Sequence, residues 1–175
     1  MERRLVAGAF TLVEAIVSIV IVGVMLVAAL NTVAASQTTQ RKMSDRNRAM
    51  LLAQDLMSEI LRQPYEDPDY APGSFGLGAD EVGDGSRALW EDVDDYDGWK
   101  ASPPQQKDGT LLAGFDGWTR GVVVNWVQGN DITAVSGVDT GVKRIVVTVT
   151  RDNLPLATLE ALRTNAWDYG PEEQE

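Results

Sequence analysis

The chain contains no cysteine and no histidine. Without thiols there is neither a disulfide framework nor a thiolate metal site. Without histidine the commonest general base and the commonest zinc ligand are both missing. Nothing of that kind is present to activate Thr11, Ser18 or Ser58 as a nucleophile, and no Gly-x-Ser-x-Gly elbow occurs. Gly73, Gly76 and Gly78 are not followed by Lys-Ser or Lys-Thr, which argues against a phosphate-binding loop. Positive charge is scarce: 15 Lys and Arg stand against 26 Asp and Glu, for a net charge of −11. A nucleic-acid partner is not expected, because phosphate binding needs clustered cations. The composition points away from an enzyme. The length, 175 residues, suits one domain with an appendage.

What the chain does have is a long uncharged run near its start. A short basic stretch, residues 1 to 9, reads MERRLVAGA, and from Ala15 to Gln40 no residue is charged. A bilayer needs about 20 predominantly apolar residues, so this run is long enough to cross one. The helical pattern continues past it. Ala49, Leu52, Ala53, Leu56 and Ile60 recur at three- and four-residue spacing, with Arg46, Gln54 and Glu59 largely off that stripe. Neither Pro nor Gly interrupts residues 24 to 62, and Pro64 supplies a stop. The pattern predicts one helix from about Thr11 to Arg62, roughly 75–80 Å long at about 1.5 Å per residue.

Residues 64 to 117 hold five of the seven prolines and nine of the sixteen glycines. They also hold thirteen acids against Arg87, Lys100 and Lys107, and so carry −10 of the net charge. This is a long acidic, turn-rich segment, either functional or hiding short elements. From Trp118 the period becomes two: GVVVNWV over 121–127 and VKRIVVTVTR over 142–151, with Ile145, Val147 and Val149 on one face. LPLATLEALR over 154–163 reads as a third strand or a short helix, and Asp152-Asn153 signals a tight hairpin turn before it. Pro155 then belongs at a strand start or an edge. The tail, 166–175, is acidic. Most of Trp90, Trp99, Trp118, Trp126 and Trp167 are expected in the core, with one or two available to a partner.

Glu14 stands out because it is ionisable and opens an apolar span, which makes it a functional-site hypothesis. No basic residue within the span can pair with it in the same helix, so the cheapest partner is a positive charge from another molecule. The plainer alternative is an acid at a helix N-terminus, favoured by the dipole. Gly8-Ala9-Phe10-Thr11-Leu12-Val13-Glu14 followed by an apolar helix resembles the cleavage and methylation signal of type IV pilins and type II secretion pseudopilins. The resemblance covers roughly residues 4 to 35. It implies cleavage by a prepilin peptidase just before Phe10, N-methylation of that Phe, and Glu14 as the fifth mature residue. Gly23 then falls fourteenth, where the family often has Gly. A cut after Gly8 would instead leave Ala9 first and Glu14 sixth. The segment from Arg48 to Ile60 resembles the corresponding helix of minor pseudopilins and minor pilins.

The resemblance implies a structural subunit of a secretion or pilus filament. It would be single-pass in a bacterial inner membrane, with the C-terminal domain extracytoplasmic and other pilin-like subunits as partners. Glu14 would neutralise a neighbour's N-terminal amine. The positive-inside rule alone points the other way, since Arg41, Lys42, Arg46 and Arg48 after the span outnumber Arg3 and Arg4.

Asp92, Asp94, Asp95 and Asp97 form a dense oxygen cluster, and calcium is the ion such a cluster would take. The spacing is not that of an EF-hand, and a solvated acidic loop is the simpler account. The expected fold is α+β, a long N-terminal helix packed on a small antiparallel sheet in the pilin-like manner. The expected segments are a leader 1–9, a membrane half 10–35, an amphipathic half 36–63, an acidic loop 64–117, a sheet 118–165 and a tail 166–175. Val122, Val124, Ile145, Val147, Val149 and Leu159 should face Ala49, Leu52, Leu56 and Ile60. Two other functions remain open at this point: a signal-anchored extracytoplasmic binding protein whose acidic loop captures calcium or a basic partner, and a membrane-tethered metal-dependent hydrolase.

Overall fold

The computed structural model describes residues 11–167, except 68, 72 and 84. The chain divides into two units, Met1–Ser44 and Asp45–Glu175. A single helix, α1 (Leu12–Ile60), contributes its first part to one unit and the part from Asp45 onward to the other. The fold is α+β.

In the first unit every described side chain is exposed. Leu12, Ile19 and Met25 are 66–76% exposed, values that belong to an unaccompanied helix. The helix here is apolar on all sides, so no single face could form a core contact of the ordinary amphipathic kind. Several of its hydroxyls are bonded back to the helix. Thr32, Thr38 and Thr39 each donate a hydroxyl to the carbonyl four residues back, at 2.9–3.1 Å. This stretch is long and apolar enough to cross a membrane.

In the second unit the helix becomes amphipathic, and Ala49, Leu52, Ala53, Leu56, Met57 and Ile60 are buried. They pack on an antiparallel sheet of five strands: β1 (Lys100–Ala101), β2 (Trp118–Gln128), β3 (Asp131–Val135), β4 (Val142–Arg151) and β5 (Leu154–Thr164). The order is β1-β2-β4-β5, with β3 paired to the end of β2. Alternation along the strands sends one set of side chains inward. Val122 lies opposite Val147, which lies opposite Leu159, and Val124 lies opposite Ile145. These join the α1 residues in one core with Trp90, Val93, Tyr96, Trp118, Val149 and Ala157, and Leu159 packs at its margin. Each fully buried aliphatic side chain contributes about 1.5–3 kcal/mol.

β5 is a strand and not a helix. The turn before it, Asp152-Asn153, has φ of +50° and +64°, the left-handed pair that a two-residue hairpin of this twist requires. Pro155 sits second in this edge strand, opposite Thr150, where the register with β4 shifts. The acidic loop contains the short strand β1 and one 3-10 turn at Asp94–Tyr96. Trp90 and Trp118 are buried, Trp99 packs at the core margin, and Trp126 stacks edge-on with Phe75 at 4.7 Å.

Candidate functional site

The expected processing residues Gly8, Ala9 and Phe10 lie outside the described residues, as does the tail from 168 onward. The first feature that can be placed is the start of α1. Thr11 precedes the helix, and its Oγ1 accepts a hydrogen bond from the Glu14 backbone N–H at 3.3 Å. Thr-x-x-Glu at this point is the sequence pattern of a capping box, so Thr11 satisfies one of the four unpaired N–H groups of the first turn. The Glu14 side chain is exposed, and no cation pairs with it among the described residues. Its carbonyl accepts from Ser18 Oγ at 2.7 Å. Gly23 stands in mid-helix, and a Cβ built there meets nothing within 4 Å. Among the described residues nothing crowds that glycine, although a helical Gly costs about 1 kcal/mol relative to Ala.

The acidic loop presents a second set of candidates. Three buried cations tie it to the helix and the sheet. Arg87, fully buried, makes a two-pronged pair with Glu59 of α1 at 2.9 and 3.1 Å, and its guanidinium lies 4.1 Å from the centre of the Trp99 ring. Tyr96 donates its hydroxyl to the same Glu59 at 3.0 Å, and burial pushes its phenol pKa up. Arg120 of β2 donates to the Leu52 carbonyl at 3.3 Å, to Asp55 at 3.2 Å and to the Gln105 carbonyl. Lys143 of β4 donates to Asp94 and to the Tyr65 carbonyl, with both charged side chains about 1% exposed. The sequence pattern assigned none of these roles. The phase of the strands carried a signal for two of them, because Arg120 and Lys143 fall in step with the inward-facing valines.

The four aspartates weighed as calcium ligands are each bonded within the chain. Asp92 Oδ1 accepts the backbone N–H groups of Asp94 and Asp95 at 2.8 and 3.1 Å. Asp95 Oδ2 accepts those of Glu91 and Asp92, both at 2.9 Å. Asp94 is taken by Lys143 and by the Gly76 N–H at 2.8 Å. Asp97, exposed, accepts from the Val124 N–H at 2.8 Å. Their oxygens hold up backbone turns, which is how a close run of Asp residues satisfies a loop that makes few ladder bonds. Among the described residues, the three carboxylates whose oxygens come within 4.8 Å of one another are Asp67, Asp69 and Glu91, at a largely exposed position.

Glu81 joins the aspartates from the other side of the loop. It is 4% exposed, and its carboxylate accepts from Gly78 N–H at 2.6 Å and Glu91 N–H at 3.2 Å. Burial, and then a hydrogen bond to the Asp95 carboxyl, raise its pKa to about 7. Burial, and then the charges of Asp94 and Asp95, raise that of Asp92 to about 8. Asp95 Oδ1 has no hydrogen-bond partner. Negative charge is therefore crowded inside this loop beyond what Lys143 offsets.

Comparison with protein-family models, with curated proteins and with solved structures gave no match.

Proposed function

We propose that the chain is a structural subunit, of the minor pseudopilin or minor pilin kind, in a type II secretion or type IV pilus-like filament. It is not an enzyme. The observation that carries this reading is the first part of α1: a long apolar run, exposed at every described residue, and opened by an exposed acid. Such a surface needs lipid or other apolar helices around it. A bacterial inner membrane supplies the first while the subunit waits as a single-pass protein with its head extracytoplasmic. A filament core of like helices supplies the second. A bare Gly23 allows a neighbouring helix to approach closely.

After a prepilin peptidase removes residues 1–9, the new amine of Phe10, subsequently methylated, carries positive charge. Glu14 of one subunit then neutralises the amine of the next as both leave water, and this fixes axial register. Losing one partner of such a desolvated pair costs about 3–5 kcal/mol. Thr11 and the helix dipole hold the Glu14 backbone in place, and its side chain is left free for this contact.

The test is co-expression with a prepilin peptidase, followed by mass spectrometry of the mature N-terminus. The expected product begins with N-methyl-Phe10. A product beginning at Ala9 would move the cut by one residue and leave the filament reading standing. An intact Met1 under processing conditions would refute it and leave a signal-anchored binding protein. The Glu14→Ala variant should fold normally in its head and fail to enter filaments.

A further inference from the structure

The first unit carries, among its described residues, one acid at its start and two cations at its end, Arg41 and Lys42, with no charge between. Both cations are exposed, and neither has a carboxylate within 4.0 Å among the described residues. Arg46, one turn further on, is likewise exposed and has no carboxylate within 4.0 Å among the described residues. Arg48 is occupied: it donates to the Gly114 carbonyl at 2.8 Å and lies over the Phe115 ring. Arg41 and Lys42 are spare.

Their distance along the helix says what they meet. Glu14 to Arg41 is 27 residues, which at about 1.5 Å each makes about 40 Å of helix. A bilayer is roughly 30 Å thick in its hydrocarbon core and about 40–45 Å with both headgroup layers. With Glu14 at one face of the membrane, the two cations reach the headgroup layer of the other. The ten residues before them, Asn31 to Gln40, are uncharged, and the threonine hydroxyls at 32, 38 and 39 are bonded back to the helix.

We infer that Arg41 and Lys42 are a binding site for the phosphates of anionic phospholipids, and that they set the depth at which the helix rests before assembly. The inference rests on reading α1 as a membrane span, but not on which side of the membrane the head lies. The other source of negative charge, the acidic loop of a second copy, is less suited, because many of its carboxylates are buried or bonded to backbone N–H groups. Two cations near an anionic surface favour the docked depth on the order of ten- to thirtyfold, and salt weakens this steeply.

The chain's lack of cysteine makes the test direct. A nitroxide attached to the full-length Ser44→Cys variant reports on the exposed position next to the pair. The chain is placed in nanodiscs of phosphatidylcholine alone, or with roughly one-third phosphatidylglycerol. Collision of the label with a neutral nickel chelate in water is then measured. The expected result is at least a threefold lower collision rate in the anionic discs. It should be lost in Arg41→Gln/Lys42→Gln and in about 1 M salt. Equal rates in both discs, or an unchanged difference in the double variant, would overturn the proposal. So would a protection that follows the number of chains per disc and not the lipid, since that assigns the cations to a second copy. Insertion is read separately, by co-elution with discs of either kind. A chain that fails to enter them overturns the membrane span itself, whereas a chain that inserts without lipid dependence overturns this inference alone.

Discussion

Between Leu12 and Ser44, α1 buries no side chain; between Asp45 and Ile60 it buries six. The bare part is the more apolar of the two. The unit that does have an interior places seven charged side chains in it: Glu81, Arg87, Asp92, Asp94, Asp95, Arg120 and Lys143. Hydrophobicity alone therefore does not mark where this molecule is packed. The apolar stretch is left exposed at every described residue. The head combines a small valine-rich core with polar groups that hold a strand-poor loop in place, and each such group is tolerated because it is bonded.

The contrast can be broken most forcefully at the buried ion pair. Arg87→Ala strands Glu59 and empties the space above Trp99. It should cost about 3–5 kcal/mol, seen as a large drop in the melting temperature of the full chain in detergent. Next is a matched pair of leucines in the same helix. Leu56→Ala removes a side chain with no exposure and should cost the head about 2–5 kcal/mol. Leu26→Ala, at a position 60% exposed, should shift head melting by less than about 0.5 kcal/mol. Equal effects would mean that the two parts of α1 are not so different.

A smaller effect, of opposite sign, is expected from the crowded carboxylates. Glu81 and Asp92 bind protons more tightly folded than unfolded, with pKa values of about 7 and 8 against ordinary values of 4.5 and 3.8. Their contribution is fully present below about pH 4 and fades as pH rises through 7 to 8. The head should therefore melt at a higher temperature at pH 5 than at pH 8, by an amount on the order of 1–3 kcal/mol. Glu81→Gln should flatten that slope and stabilise the pH 8 state. A slope of the other sign would show that these groups ionise freely. The most local effect belongs to Thr11→Ala, which should loosen the first turn of α1 by about 1 kcal/mol in amide exchange and leave the head unchanged.

Much of this could be read from periodicity. The 3.6-residue stripe of Ala49, Leu52, Leu56 and Ile60 marked the packed half of the helix. The alternation at Ile145, Val147 and Val149 marked β4, and Asp152-Asn153 marked the hairpin. β3 was missed although Gly129-Asn130, the two residues between Gln128 and Asp131, is a hairpin signal of the same kind. β1 is two residues long and too short for any periodic pattern to reveal. The partners of the buried cations were illegible for another reason. Arg87 finds Glu59 28 residues away, Lys143 finds Asp94 at 49 and Arg120 finds Asp55 at 65. Pairing over such separations is decided by the fold, and local pattern carries no record of it. For the Asp run the sequence offered a solvated loop as the simpler account and calcium as the alternative, and it did not show that Asp92, Asp94 and Asp95 are buried. Each of those carboxylates had a nearer claimant in a backbone N–H.

The Lys143–Asp94 contact has a practical side. Because both ends are sealed from solvent, dissolved ions cannot come between them, and the strap they form should hold in brine as it does in dilute buffer. With no sulfur bond to reduce or misconnect, the head needs no oxidising compartment and no disulfide isomerase to reach its final shape. Reductant in the surroundings will not undo it.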